Sequence, residues 1–270
     1  MCIRDSKYGD LATVKVENMK EQHTSLSVKD DDSSMSAGQT PKTDTTEKKS
    51  PEKKYGFVSV AAGDGIRDVF YDLGVDNVVQ GGQTMNPSTD DIVNAVNITP
   101  SEIVYVLPNN KNIYMAAKLA EEIVEDKQVI VLKTVSIPQG ISAMLAFDPE
   151  ADTDTNTSNM KDSMKTVKTE KMTFAARDSV FENSEIKEGQ ILGLVENSVT
   201  FIENSKEDCM RKLAREIKDY SYITLFYGEE SDEAEAQKMA DLVKSEIGED
   251  KDILVVNGGQ PVYYYIISAE

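Results

Sequence analysis

The chain reads as an α/β protein, a parallel sheet covered by helices followed by a second α/β lobe that contains antiparallel strands. Three observations carry that reading. From Tyr55 onward, short apolar runs alternate with stretches whose apolar residues recur at helical spacing. The early runs are continuously apolar, as strands buried on both faces of a parallel sheet are. Farther on, three short runs are separated by EIKEGQ and by the Glu196-Asn197 pair, which resemble hairpin connections.

The elements follow in order. YGFVSVAAG is a buried strand, and Ile66, Val69, Phe70 and Leu73 then mark an amphipathic helix that Gly74 stops. VDNVVQ is the next strand. Ser88 or Thr89 caps a helix carrying Ile92, Val93 and Val96, with Asp90 and Asp91 in the first turn, where the helix dipole favours them. EIVYVLP is a strand, and the following helix is expected to bury Ile113, Ala116, Ala117, Leu119, Ala120 and Ile123. QVIVLKT and the helix GISAMLAF complete the first lobe, residues 55–150. The second lobe, 151–270, opens with a polar break, DPEADTDTNTSN, before a helix marked by Met160, Met164 and Val167. The strand candidates KMTFAARD, QILGLV and SVTFIE come next. They are followed by helix KEDCMRKLAREIKD, strand YSYITLFYG, helix DEAEAQKMADLVKSEIG and strands DILVVN and PVYYYIIS. In a strand, the run Tyr263 to Tyr265 alternates faces, so at least one ring is expected to point outward.

At 270 residues with 39% hydrophobic content the chain can bury a sizeable core. Its formal net charge is -19, and basic and acidic residues balance over residues 1–54, so the whole excess falls on 55–270. Such a surface repels a phosphate backbone or an anionic membrane, so neither nucleic acid nor membrane insertion is expected. Residues 24–54 are rich in Ser, Thr, Lys, Asp and Pro and read as a disordered linker. Residues 1–23 are too short to fold alone. The N-terminus has no apolar signal core, and no apolar run approaches the length of a membrane span, so the expected location is cytoplasmic. Two cysteines without a CxxC pair signal neither a disulfide framework nor a thiolate metal site; Cys209 falls on the apolar side of its helix. With His23 as the single histidine, no Ser-His-Asp or Cys-His arrangement is plausible, and neither GxxxxGK[ST] nor GxGxxG is present.

In a parallel sheet the carboxyl ends of the strands form one rim, onto which helix N-termini open. Four loops should meet there: AAGDG at 61–65, GGQTMNPST at 81–89, PNNKN at 108–112 and TVSIPQG at 134–140. The candidate binding residues are Gly81, Gly82, Gln83, Thr84, Asn86, Ser88, Asn109, Asn110, Lys111, Asn112, Gln139 and Gly140. Gly258, Gly259 and Gln260 join them because GGQ recurs after a second apolar strand. Such a rim suits a polar head group or a partner's backbone and is poorly equipped for acid-base catalysis. Turn and capping duties account for any single loop equally well. No catalytic or metal-binding residue is expected.

GGQTMNPSTDDI, LPNNKNI, SIPQGISAMLAFDPEAD and GGQPVYYYIIS strongly resemble the C-terminal region of the fatty acid kinase A-type family, over essentially all of residues 55–270. The segment Gly9 to His23 looks like the family's stretch just before that region, the exit of its middle domain. MCIRDS does not fit there, and residues 1–6 are expected to be foreign. The resemblance implies a DegV-like two-lobed fold whose halves each close a strand with Gly-Gly-Gln. It implies a division of labour in which a dihydroxyacetone-kinase-like (DhaL-type) domain binds ATP and magnesium, while the C-terminal region docks the fatty-acid-binding B subunit; the product is an acyl phosphate. No cofactor is expected in this chain, and a homodimer is expected only in the full-length context. The alternative expectation is a DegV-like domain that itself binds a fatty acid or acyl phosphate.

Overall fold

The run at Tyr55 lies inside β1 (Lys53–Ala61), an interior strand of a four-stranded parallel sheet ordered β2-β1-β3-β4, with β2 (Asn77–Gln80), β3 (Ser101–Leu107) and β4 (Gln128–Val131). The computed structural model describes residues 51–82, 86–181 and 184–270, which belong to one compact unit, Thr45–Glu270. Residues 1–23, and the expected linker as far as residue 50, lie outside the described residues. Lys53 and Lys54, which composition places in the linker, are strand residues instead. The Glu52 and Lys53 N–H groups both donate to Pro100 O, a partner that composition alone does not show.

Four helices accompany this sheet: α1 (Asp64–Asp72), α2 (Thr89–Ile98), α3 (Tyr114–Ile123) and α4 (Ile137–Leu145). One sheet face places Val58, Val60, Val104 and Val106 against Ile92 and Val96 of α2 and Ala117 and Ala120 of α3. The other presents Tyr55, Phe57 and Tyr105, which gather around Phe147 at ring separations of 5.3, 4.8 and 6.3 Å. Burial on both faces explains the continuous apolar runs. Ser88 is the cap of α2, with a complete capping box to Asp91.

After α5 (Thr153–Thr166) a six-stranded mixed sheet follows, in the order β11-β10-β12-β5-β8-β9. Its strands are β5 (Lys168–Phe174), β8 (Ile191–Val195), β9 (Ser198–Glu203), β10 (Tyr222–Tyr227), β11 (Asp252–Asn257) and β12 (Tyr265–Ala269). Within it only β10 and β11 pair in parallel. The β8-β9 turn holds Glu196 and Asn197 at φ 49 and 74, the left-handed pair that a tight hairpin needs. A small hairpin, β6 (Ser179–Phe181) with β7 (Ser184–Ile186), occupies part of the connection read as a simple separator.

The outer face of this sheet packs on α6 (Lys206–Glu216) and α7 (Glu233–Ile247), with Cys209 fully buried among Met210, Leu213 and Ala240. Its inner face, through Phe226 and Ile266, joins the same apolar core as Tyr55, Tyr105, Met160 and Met164. Helices α1 and α4 touch β11 and β5, so the middle helices are shared between the two sheets.

Three expectations change. Leu119 and Ile123 are exposed, because α3 turns Ala117, Ala120 and Val124 inward and leaves them on the opposite side. Helix α5 begins inside the polar break, where Asp152 caps it and the buried Asn156 amide bonds both the N–H and the carbonyl of Asp148. β12 starts only at Tyr265, which is fully buried; Tyr263 and Tyr264 are half-buried in the loop before it, so none of the three rings is exposed.

The lobes meet where α1 begins. Ile66 N–H donates to Gly258 O at 3.0 Å, and a Cβ on Gly63 or Gly65 would collide with the backbone of residues 257–260. Gly65→Ala should therefore cost about 2 kcal/mol, or roughly 4–8 °C in Tm. Gly74→Ala, at φ +91 with nothing within 4 Å, should show only the left-handed strain of about 1 kcal/mol. Equal losses in thermal unfolding would refute the packing argument.

Candidate functional site

All four strand-end loops reach one cleft between the lobes. Its cavity volume is about 60 Å³, and it is partly open to solvent. Ala62, Gly81, Gly82, Asn109, Asn110 and Ile137 line it from the first lobe, and Lys171, Gln260, Tyr263 and Ile266 from the second. The two Gly-Gly-Gln segments follow the edge strands β2 and β11, each paired in parallel with an interior strand, β1 and β10. They meet again at a neighbouring depression that includes Gly81, Gly82 and Gly259.

Asn109 sits at φ 55, a left-handed position that Asn tolerates. Its backbone N–H donates to Thr134 Oγ1 at 2.9 Å, and its side-chain Nδ2 donates to Ser59 Oγ at 2.9 Å and Val60 O at 3.0 Å. It thereby ties the end of β3 to β1 and to the loop after β4. The glycine at 140 leaves room for the Asn109 amide, since any Cβ there would strike Oδ1. Gln260, also buried, donates to Phe226 O at 3.0 Å and Tyr263 O at 3.4 Å and so fixes the loop after β11. Both amides brace the rim as well as line it.

The second lobe adds a residue that sequence reading missed. Cross-strand register sets Ile266, Lys171 and Leu194 side by side on the inner face of the sheet. Lys171 is 6% exposed, and its Nζ donates to Asn197 Oδ1 at 2.6 Å and lies 5.3 Å from the Tyr263 ring centroid. It also lines a second cleft, of about 180 Å³, with Asn110, Lys111, Val135, Leu194 and Asn197. Burial pushes the Lys171 ammonium down to about 8, against the pull of Glu196. On the outer face the next residue back, Glu170, is fully buried, and burial pushes its carboxyl up to about 8, partly offset by Lys168 at 3.8 Å. The Cys209 thiol is likewise pushed up to about 12 by burial, which leaves it inert at neutral pH. A lone lysine inside KMTFAARD carries no signal of its burial; register against β12 and β8 creates it.

Several expected residues lie elsewhere or act as caps. Ser88 spends its hydroxyl on Asp91, and Asn86 is exposed away from the cleft lining. Gln139 accepts from Val135 N–H at 2.9 Å, tightening the turn into α4. Asn110 Oδ1 accepts from Asn112 N–H at 2.9 Å, and Lys111 and Asn112 are exposed. Gly258 packs under the Gln260 amide and Gly259 takes φ 58. Gln83 and Thr84 lie outside the described residues.

Two α/β lobes joined around a cleft at their strand ends define a DegV-like fold. The fold matches a DegV family protein of Corynebacterium glutamicum with a TM-score of 0.59 at 13% identity, over 80% of this chain and 96% of that one. It matches a Thermotoga maritima protein described as having a fatty acid binding function with a TM-score of 0.58 at 12% identity, over 80% and 99%. In sequence, residues 56–270 match the FakA-like C-terminal model, which describes the C-terminal region of proteins like the A component of fatty acid kinase, and the chain belongs to that family. Protein YloV of Bacillus subtilis is 38% identical over 265 residues, 97% of this chain and 46% of YloV, so the chain spans about half the length of the curated relatives it matches.

Among the described residues no group of three or more His, Cys, Asp or Glu side chains is placed to hold a metal ion. Likewise, no helix among the described residues is long and apolar enough to cross a membrane.

The two buried ionisable groups predict opposite pH profiles. Lys171 has a folded pKa below its unfolded value, so its charging cost is complete below pH 8 and fades between about 8 and 10.5. Lys171→Met should stabilise the protein by about 1–3 kcal/mol at neutral pH, with the gain shrinking through that window. Glu170 has a raised folded pKa, so its cost is absent below 4.5 and grows as pH rises to about 8. Glu170→Gln should thus change little in acid and raise Tm by roughly 2–4 °C or more at alkaline pH. Thermal unfolding from pH 4 to 10.5 checks both; parallel profiles for the two variants would contradict the burial assignments.

Proposed function

We propose that this chain is the non-catalytic C-terminal region of a fatty acid kinase A-type protein, docking a fatty-acid-binding B subunit so that a separate ATP-binding DhaL-type domain can phosphorylate the acyl carboxylate. The observation that carries it is a ridge on α3. Met115, Leu119 and Ile123, spaced by four residues, are 71%, 48% and 50% exposed. They extend directly from the exposed Lys111 and Asn112 at the rim. Three large apolar side chains in one row on a helix face make a poor water-facing surface and a good partner-facing one. Membership of the fatty acid kinase A-like family makes a fatty-acid-binding subunit the partner to test, and the exposed Lys111 and Asn112 supply the polar edge. A cognate subunit presenting a basic surface would also suit the acidic charge of the chain, with association weakening as salt rises.

A second reading assigns fatty acid or acyl phosphate binding to the chain itself. It is favoured by the cleft, whose walls include Val60, Ile66, Ile113, Ile137 and Ile266, and by the likeness of the fold to proteins described as fatty-acid-binding.

Leu119→Lys should weaken capture of a DegV-type B subunit by about tenfold or more, while changing stability by no more than about 0.5 kcal/mol, because the side chain is exposed. Asn110→Ala with Lys111→Ala should weaken capture less and lower Tm only slightly. Undiminished capture by the Leu119 variant would remove the ridge from the interface. Absence of capture by the intact chain at micromolar concentration would count against docking altogether.

A further inference from the structure

The six-stranded sheet of the second lobe ends at β11, whose far side pairs with no strand among the described residues. The N–H groups of Asp252 and Gly258 donate to Ser221 O and Tyr227 O, so Asp252, Leu254, Val256 and Gly258 turn their backbone groups toward β10. Alternation then turns those of Ile253 and Val255 away from the sheet. At Asn257 the start of α1 closes the edge, since a Cβ on Gly65 would strike Asn257 O. None of the six residues of β11 is buried, whereas all five of β12, two strands further in, are. The other edge strands of the two large sheets are protected. β2 and β4 have four residues each, and the pairing of β9 is interrupted by an irregularity at Gly193/Leu194. β11 keeps regular register with β10 through all six of its residues and has one charged residue, Asp252, at its end. Leu254 in its middle is 61% exposed, and Tyr222, on the same sheet face in β10, is 65% exposed. An open, regular, apolar edge is a template for one more strand.

We infer that β11 pairs with β11 of a second copy of this chain, antiparallel about a two-fold axis at Leu254, joining the two sheets into one. The register follows from which backbone groups are free. With Leu254 opposite Leu254, Ile253 of each copy faces Val255 of the other, and their outward N–H and C=O groups bond reciprocally. Leu254 then meets its counterpart in a non-hydrogen-bonded pair, where Cα atoms lie about 4.5 Å apart and side chains come closest. Asp252 falls opposite Val256 and Lys251 opposite Asn257, so no carboxylate faces a carboxylate along the seam. Charge complementarity above the seam selects a second copy over an unrelated strand. Helix α7 runs against the direction of β11, for Glu233 near its start shares a groove of about 410 Å³ with Asn257 at the strand's end. Glu233, Gln237 and Lys244 lie along one stripe of that helix, and the first two face the groove. The two-fold axis sets one α7 antiparallel to the other, so Glu233 of each copy approaches Lys244 of the other. That pairing offsets locally the repulsion between two chains of net charge -19. The seam shares no residue with the α3 ridge or the clefts, so it is independent of both readings above.

The test uses the full 270-residue chain. Sedimentation equilibrium should show monomer and dimer in exchange with a Kd of roughly 1–100 μM, as a seam without buried aromatic anchors gives. Leu254→Lys, at an exposed position, should raise that Kd by about tenfold or more without lowering the Tm of the monomer. Glu233→Lys and Lys244→Glu should each weaken the dimer by about threefold or more, and the two changes together should restore it to within about twofold of the wild type. Backbone amide exchange at Ile253 and Val255 should slow as concentration rises through the Kd, and by more than at Leu254, whose N–H is already bonded to β10. A chain that stays monomeric at about 200 μM overturns the inference, as does a dimer that Leu254→Lys leaves intact. Weakening in both single charge variants with no recovery in the double variant also overturns it, because the antiparallel register makes that exchange neutral.

Discussion

The contact between the start of α1 and the loop after β11 fixes the rest of the molecule. Ile66 N–H bonds Gly258 O, and Gly63 and Gly65 let the two backbones approach closer than any side chain permits. With the lobes held at that point, Phe226 and Ile266 enter the first lobe's core, and the inner face of the second sheet becomes one wall of a cleft. Ser136 and Thr169 add a buried hydroxyl pair across the same boundary at 2.7 Å. A lobe arrangement set by backbone contact is stiff, because backbones have no rotamers with which to yield.

That stiffness gives the buried polar groups their meaning. Asn109 and Gln260 bond to carbonyl oxygens on opposite sides of the cleft and hold its walls in register. Lys171 differs from them, since its ammonium lies inside on an amide partner, with Glu196 as the opposite charge acting on it. The ridge on α3 presents the complementary case, apolar side chains left outside. The cleft within and the ridge without are the two features on which the proposed readings rest.

The elements themselves were legible because period and punctuation agree. Ser88 and Asp91 form the capping box that their spacing announces, and Glu196-Asn197 make the tight turn that a two-residue polar connection implies. Periodicity faltered on α3, where alanines and larger apolar residues occupy different faces and hydrophobicity alone assigns the inside to the larger ones. It faltered again on α5, whose first turns are polar because Asn156 and Asp152 spend their side chains on backbone groups.

The sequence by itself determined an α/β chain with two lobes, the strand-end loops, the acidic surface and the family, since each depends on local spacing or on motifs long enough to be specific. The tertiary structure alone decided that Gly81, Gly82 and Gly259 border one depression, that Leu119 faces outward and that Lys171 faces inward. Those outcomes depend on strand register and on how one lobe seats against the other, and contacts between residues 60 and 260 leave no trace in the spacing of either neighbourhood.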